Sequence, residues 1–305
     1  MNKIETKVYA GRIKNKEELM VSSSGGAFTA LSDYFLECGD VVIAVAYNYQ
    51  THTEEFAFLH NKVERDTVRG SKYVQSKPEK IFKTAELWLK ENPYKRLLFV
   101  GIGCQADGFR RFVEVRGFRE RVYIVDIICH GSPSPKLWRE YAASLEKRNA
   151  GKITYLTFKD KRNGWRAPTA VAVINGKEVS IKNYVRVFYN RCALRPSCHV
   201  CPFSTTERKI DITIGNFWRI EETIPDFYDE AGTSLVLIHS NRGEKLFESI
   251  KENLEYRESD IKQCWQANHE APTPASEQRD EFWKDYRHKG IDYIMKKYGT
   301  MSIQT

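Results

Sequence analysis

The chain has 305 residues, 41% of them hydrophobic, enough for a real core in one large domain or two modest ones. No run of about 18 apolar residues occurs, which excludes a membrane-spanning helix, and the opening MNKIETKVYAGRIKNKEE lacks the apolar centre of a signal peptide, so a cytoplasmic location is expected. The net charge of +8 suits anionic partners, such as a nucleotide cofactor's phosphates or an acidic electron carrier; the basic residues are scattered, without a nucleic-acid-binding signature.

KVYAGRI (residues 7–13) predicts a short strand. SSSGGAFTALSDYFLECGD (22–40) predicts a polar turn and a helix, with Ala27, Leu31, Tyr34 and Phe35 on one face and Gly39 as its stop. VVIAVAYN (41–48) reads as a buried strand and EEFAFLH (54–60) as a weaker one. Helices are expected at 62–69 and 78–91, the second with Ile81, Ala85 and Trp88 on one face. LLFVGIG (97–103), a helix at 105–115, RVYIVDII (121–128) and a helix at 134–147 complete a β-α-β-α run. Apolar strands alternating with helices predict an α/β fold, a mostly parallel sheet flanked by helices.

After Gly151 the texture changes. KITYLTFKD, TAVAVING and KEVSI predict an inserted antiparallel β region, with Asn175-Gly176 as a hairpin turn. A helix near 184–193 leads into a cysteine-bearing loop. KIDITIGNFW and TSLVLIHS (233–240) predict two more strands, followed by a helix at 244–253. The expected organisation is one domain over residues 1–270, with an α/β half (1–150) and a β-rich half (151–270), then a tail (271–305) of two basic, aromatic helices after Pro272 and Pro274.

Four cysteines are the leading candidates for chemistry. Cys104 and Cys129 each close an apolar strand run, and ligand sites gather at the carboxyl ends of parallel strands. Cys198 and Cys201 form a C-x-x-C pair in RPSCHVCPF, stiffened by Pro196 and Pro202. In a reducing compartment such a pair is a metal-binding or redox motif, and an odd total of seven cysteines argues against a disulfide framework. Four thiolates suit an iron–sulfur cluster or zinc, and a redox dithiol is the rival for the close pair. Cys38 and Cys264 read as small buried hydrophobes, and Cys192 as helix core or a spare ligand.

Two segments suit phosphate. SSSGG (22–26) places hydroxyls and glycines before a helix, where free N–H groups attract anions; its plainer role is an N-cap. GSKYVQS (70–76) offers Lys72 to a pyrophosphate and Tyr73 to a ring, or is an ordinary basic loop. The pattern of an NAD-binding dinucleotide fold is missing.

SSSGGAF, RGSKYVQS, GIGCQADGF, DIICHGSPSP, FKDKRNGW, LRPSCHVCPF, DITIGNFW and GTSLVLIHS occur in this order. Together they resemble the coenzyme F420 hydrogenase/dehydrogenase beta-subunit family, over roughly residues 7–240. The resemblance implies an FAD-dependent oxidoreductase in which a [4Fe–4S] cluster exchanges electrons with FAD, and FAD exchanges hydride with a deazaflavin (coenzyme F420) or another small organic substrate. It implies Cys104, Cys129, Cys198 and Cys201 as cluster ligands. It suggests FAD contacts from Ser24, Gly25, Gly26, Ser71, Lys72 and Tyr73, with His130 and Lys159 near the flavin as catalytic candidates.

Many members carry an N-terminal ferredoxin domain; here the sequence begins at the flavin-type domain, so electrons are expected from a ferredoxin-like carrier or partner subunit. GIGCQ lacks the threonine-proline that commonly precedes this cysteine, and Asn216 stands where an aspartate is common. Such proteins also occur beside polysaccharide-synthesis enzymes, which leaves a substrate other than coenzyme F420 open. The competing reading is a non-catalytic, zinc-stabilised subunit of a glycan-synthesis complex.

Overall fold

The computed structural model describes residues 5–78 and 80–302. Strand β1 (Lys7–Ile13) is followed by a short helix α1 (Lys16–Val21), the helix α2 (Ala27–Glu37), and the hairpin β2 (Val41–Asn48) and β3 (Thr53–Leu59). Helices α3 (Lys62–Thr67) and α4 (Ile81–Glu91) lead to β4 (Leu97–Ile102), α5 (Gly103–Val115), β5 (Val122–Ile127) and α6 (Pro135–Arg148). Strands β6 (Ile153–Asp160), β7 (Thr169–Ile174) and β8 (Lys177–Ser180) precede α7 (Lys182–Tyr189). The chain ends with β9 (Ile212–Asn216), α8 (Ile220–Thr223), β10 (Ser234–Ile238), α9 (Asn241–Ile250), β11 (Leu254–Ser259) and α10 (Arg279–Lys297).

Eight strands form one sheet in the order β11-β1-β10-β9-β5-β4-β2-β3, and β6-β7-β8 form a separate antiparallel sheet. The expected α/β architecture is present, and its parallel core is the run β9-β5-β4-β2. Both flanks are antiparallel: β3 pairs with β2, while β10, β1 and β11 extend the other side. Leu97, Leu98, Phe99, Val122, Ile124 and Val125 are fully buried because helices cover both faces. On one face α2 places Ala27, Ala30, Leu31 and Phe35 at helical spacing against the sheet, beside Leu246, Phe247 and Ile250 of α9. On the other, α4 and α5 bury Ala85, Leu89, Phe109 and Val113. Each large side chain among these contributes about 1.5–3 kcal/mol of burial free energy.

A third core joins α6, α7 and α10 to the small sheet around Trp138 and Tyr184. The Asn175-Gly176 turn connects β7 to β8 as expected, with both residues at positive φ. The tail is two helices in effect, because Gly290 interrupts α10 with φ +76.

Several boundaries differ from the sequence reading. The helix expected at 105–115 starts at Gly103, which puts Cys104 in its first turn. The helix expected at 184–193 ends at Tyr189, and the one expected at 244–253 spans Asn241–Ile250. The helix expected at 78–91 begins at Ile81; Glu79 lies outside the described residues. Helix α1 was not foreseen: it has six residues, too few for periodicity to register, and forms because Asn15 accepts the amides of Glu17 and Glu18. Strand β11 was also not foreseen; its sequence LEYRES is polar because it is a sheet edge paired only with β1.

Candidate functional site

The carboxyl ends of β4, β5 and β9 meet on one edge of the sheet, where the chain delivers all four candidate cysteines. Cys104 sits in the first turn of α5, directly after β4. Cys129 follows the end of β5. Cys198 lies in a 3-10 turn, Pro196–Val200, and Cys201 just beyond it. Leu194 bridges to Pro133, and the Arg195 amide donates to the Ser132 carbonyl at 3.0 Å, docking the second loop on the first. Gly131 permits that approach: at φ +137, a Cβ there would lie 2.8 Å from Leu194 Cδ1 and 3.4 Å from Cys198 Cβ. At the far side of the loop, buried Arg208 pairs with buried Asp126 of β5 and donates to the Thr205 carbonyl at 3.0 Å.

Cys104 and Cys129 both feel the neighbouring thiols. Burial pushes Cys129 up to about 12; the Gly131 amide opposes this, and the charges of Cys198, Cys104 and Cys201 add to it. Partial desolvation by the surrounding loops also raises Cys104, which remains exposed, with Cys201 and Cys198 contributing. The bare thiols of Cys104 and Cys129 therefore keep their protons near neutral pH, and a bound cation has to displace them. The Ser132 amide donates to Cys198 Sγ at 3.4 Å, a bond of the kind that tunes a ligand sulfur. Among the described residues, no three His, Cys, Asp or Glu side chains converge on one point closely enough to hold a single ion. Four cysteine thiolates are a donor set that iron–sulfur clusters and structural zinc sites both use.

Beside the thiols a cleft of 370 Å³ runs between the ends of the parallel strands and the N-terminus of α2. Ser24, Gly26, Ser71, Lys72 and Tyr73 line it at one side, and Cys129 and His130 at the other. Gly25 is not part of its wall. Its Cα packs against β1 and β10, and a Cβ would lie 2.2 Å from the Gly11 carbonyl oxygen, so this position requires glycine for packing. Ser24 Oγ donates to the Thr233 carbonyl at 2.8 Å, and Lys72 Nζ to the carbonyls of Val68 and Gly70 at 2.7 and 3.2 Å. The Tyr73 ring already stacks on Phe188, with centroids 4.4 Å apart and planes 2° from parallel.

His130 presents an Nε2 that is buried without a hydrogen-bond partner among the described residues. Burial, assisted by Arg191 and His199, lowers its pKa to about 4, so the ring is neutral near pH 7. Lys159 stands behind the wall. Its Nζ donates to Asn216 Oδ1 at 3.1 Å and lies over the rings of Trp218 and Trp165, 5.0 and 5.5 Å from their centroids. Asn216 and Trp218 themselves line the cleft. Burial, with Lys161 and Arg166 nearby, lowers Lys159 to about 7.

The family model for the carboxyl-terminal part of the coenzyme F420 hydrogenase/dehydrogenase beta subunit matches residues 94–263, more than half of the chain. The chain belongs to this family. It is a family of redox enzymes whose known members bind FAD. The matched region contains the four cysteines, His130 and Lys159, while Ser24 to Gly26 and Ser71 to Tyr73 precede it. In fold, the chain is similar to a chain of the F420-reducing [NiFe] hydrogenase complex from Methanosarcina barkeri, solved in a xenon-derivatised form. The two are 17% identical, with a TM-score of 0.56, and the match covers 95% of this chain and 89% of that one. No curated protein matches. Among the described residues, no helix is long and apolar enough to cross a membrane.

Other residues shape the family's cleft here without having been singled out from sequence. Lys161 donates to three carbonyls, those of Leu19, Ser24 and Ala231, at 2.5, 3.0 and 2.5 Å, and so clamps the SSSGG turn. It stands in the charged segment FKDKRNGW, where sequence offers no means of telling a buried lysine from a solvated one. Gln105, next to Cys104, exchanges bonds with Ser76: its Nε2 donates to the Ser76 carbonyl at 2.9 Å and its Oε1 accepts from Ser76 Oγ at 3.0 Å. This couples the first turn of α5 to the GSKYVQS loop. Phe188 and Tyr189, from the last turn of α7, complete the aromatic wall.

Proposed function

We propose that this chain is an iron–sulfur flavoprotein oxidoreductase. Electrons pass between a [4Fe–4S] cluster on Cys104, Cys129, Cys198 and Cys201 and FAD in the adjoining cleft, with hydride exchange to a deazaflavin of the coenzyme F420 type or another organic substrate. The observation that carries this reading is the shared wall: Cys129 and His130 line the same cleft as Ser24, Gly26, Ser71, Lys72 and Tyr73. When bound, the cluster handles single electrons, and FAD takes two and passes a hydride.

The protein's own groups have separable tasks. The amides at the start of α2 and the Lys72 ammonium attract phosphate. His130, neutral and with a free Nε2, offers the cleft a hydrogen-bonding group. Tyr73, Phe188 and Tyr189 exclude water from the wall between them. Cys104 and Val200 are exposed, so the thiol centre reaches the surface, where electrons arrive from a ferredoxin-like carrier or a partner subunit. The test is anaerobic mixing of the FAD-loaded protein with reduced ferredoxin. The visible flavin absorbance is expected to bleach. Flavin that stays oxidised while ferredoxin remains reduced contradicts the proposal.

A further inference from the structure

Residues 266–276, QANHEAPTPAS, hold one short 3-10 turn, Ala267–His269, and are otherwise irregular, yet they are pinned at both ends. Gln266 Nε2 donates to the Asn216 carbonyl at 3.2 Å. At the far end Cys192 Sγ donates to Ser276 Oγ at 3.4 Å, and Arg279 donates to the carbonyls of Cys192 and Leu194 at 2.8 and 2.5 Å. Between these anchors Pro272 and Pro274 flank Thr273. A proline fixes its own φ and confines the residue before it to extended backbone, so this stretch is stiff before it makes any contact.

Thr273 is buried and makes three bonds. Its Oγ1 donates to the His130 carbonyl at 2.6 Å and accepts from Asn268 Nδ2 at 2.9 Å. Its own carbonyl lies 2.9 Å from His199 Nδ1. A carbonyl only accepts, so that nitrogen carries a proton and donates it. His130 directly follows Cys129, and His199 stands between Cys198 and Cys201. One residue thus bonds both cysteine-bearing turns. The two turns also meet directly: the Arg195 amide donates to the Ser132 carbonyl, Leu194 bridges to Pro133, and the Ser132 amide donates to Cys198 Sγ. These ties fall on residues 132 and 133 of the first turn and 194–198 of the second, past Cys129 on one and short of Cys201 on the other. Two segments joined along one edge can still pivot. The tie through residues 130 and 199 removes that freedom.

We propose that Thr273 is a positioning residue for the thiol centre: it locks the turn of Cys129 against the turn of Cys198 and Cys201, so that the four sulfurs keep the spacing a single cluster requires. It acts through the His130 carbonyl and the His199 ring, not as a ligand. Partners of this kind around a metal site orient the groups that hold it, and their loss typically costs about 10–100-fold in metal affinity or activity. Asn268, the third partner, lines the cleft, so the same hydroxyl joins the cleft wall to the thiol centre.

Treating the cysteines as ligands of one cluster rests on the proposed function, and the test keeps the two apart. Thr273→Val keeps the shape and removes the hydroxyl; Thr273→Ser keeps the hydroxyl. His199→Leu and His199→Asn form a second pair, which decides by the same readouts if Thr273→Val fails to fold: leucine removes the ring donor, and the asparagine amide restores one. The first readout needs no cluster. In the metal-free full chain a short bifunctional thiol reagent joins Cys129 to Cys198 or Cys201, and mass spectrometry follows the product. The rate should fall about fivefold in Thr273→Val, the effect of one lost hydrogen bond, and recover in Thr273→Ser. The second readout uses protein purified without oxygen. Thr273→Val should release iron to a chelator about tenfold faster and alter the paramagnetic resonance signal of the reduced cluster, and Thr273→Ser should restore both. A residue that only supports the fold would lower the unfolding midpoint and leave these signatures unmoved. Cross-linking unchanged in both Thr273→Val and His199→Leu overturns the positioning role and leaves the cluster reading intact. Altered cross-linking with unchanged iron release and signal overturns it as well. Cross-linking that falls in Thr273→Val and recovers in Thr273→Ser, in a protein that holds zinc and no sulfide, supports the positioning role and contradicts the cluster.

Discussion

Cys198→Ala is expected to keep FAD and lose iron. Cys198 lies in the turn docked onto Gly131 and Ser132, and its thiol is one of three whose charge reaches Cys129. It is not part of the cleft wall, whereas Cys129 is. Removing it takes away a proposed ligand without touching the SSSGG turn, Lys72 or Tyr73. Flavin occupancy should be unchanged, and the broad cluster absorbance should disappear. Reduction of the flavin by ferredoxin should fall at least about a hundredfold, since loss of a supporting residue around a metal already costs about 10–100-fold. Cys264→Ala is the control. Cys264 is buried in the separate cluster of Trp165 and Phe217 and should leave iron content and reduction unchanged. Metal analysis and flavin absorbance of the two variants, prepared without oxygen, decide the matter. Retained iron in Cys198→Ala would remove this residue from the ligand set.

Asn216→Asp is expected to shift the titration of Lys159. At present that lysine is 6% exposed, and its bond to Asn216 is to a neutral oxygen, while Lys161 and Arg166 add like charge. Its folded pKa of about 7 lies below the unfolded value, so the unfolded chain binds more protons between the two. Stability from this group therefore rises with pH above about 7, is complete above the unfolded lysine value near about 10.4, and is lost as pH falls toward 7. A carboxylate at position 216 favours the ammonium and raises the pKa by about 1–3 units. Between about pH 7 and pH 9 the wild type should then gain about 1–2 kcal/mol more stability than the variant, at about 1.36 kcal/mol per unit. Urea unfolding of both proteins at the two pH values measures this difference, in which shared contributions from other groups cancel. Tryptophan fluorescence is a second readout, because Lys159 lies over Trp165 and Trp218: its midpoint near pH 7 should move alkaline in the variant. Equal slopes and equal midpoints would contradict the assignment.

The parallel core was legible because its strands are short, apolar on both faces and separated by helices of clear period. Cys104 and Cys129 could be placed at strand ends for the same reason. Elements that depend on a single cap or on an edge position escaped: α1 rests on Asn15, and β11 is a polar strand defined by its partner. Side-chain surroundings were less legible than side-chain location. Tyr73 was read as offering its ring to the cleft or as part of an ordinary loop, and its stacking on Phe188, more than a hundred residues away in sequence, had no local signal. Gly25 read as part of a phosphate turn, but contact with β1 and β10 dictates it. Nothing local in THTEEFAFLH marks Glu54 as wholly buried, since its alternation suits a half-exposed strand.

The central claim is that the four thiols hold an iron–sulfur cluster beside FAD. The most direct measurement is the content of iron, acid-labile sulfide, zinc and flavin in protein purified without oxygen. The account predicts about four iron, about four sulfide and about one FAD per chain in a yellow-brown protein, from one cluster and one cleft. A colourless protein with stoichiometric zinc, no sulfide and no flavin would contradict it.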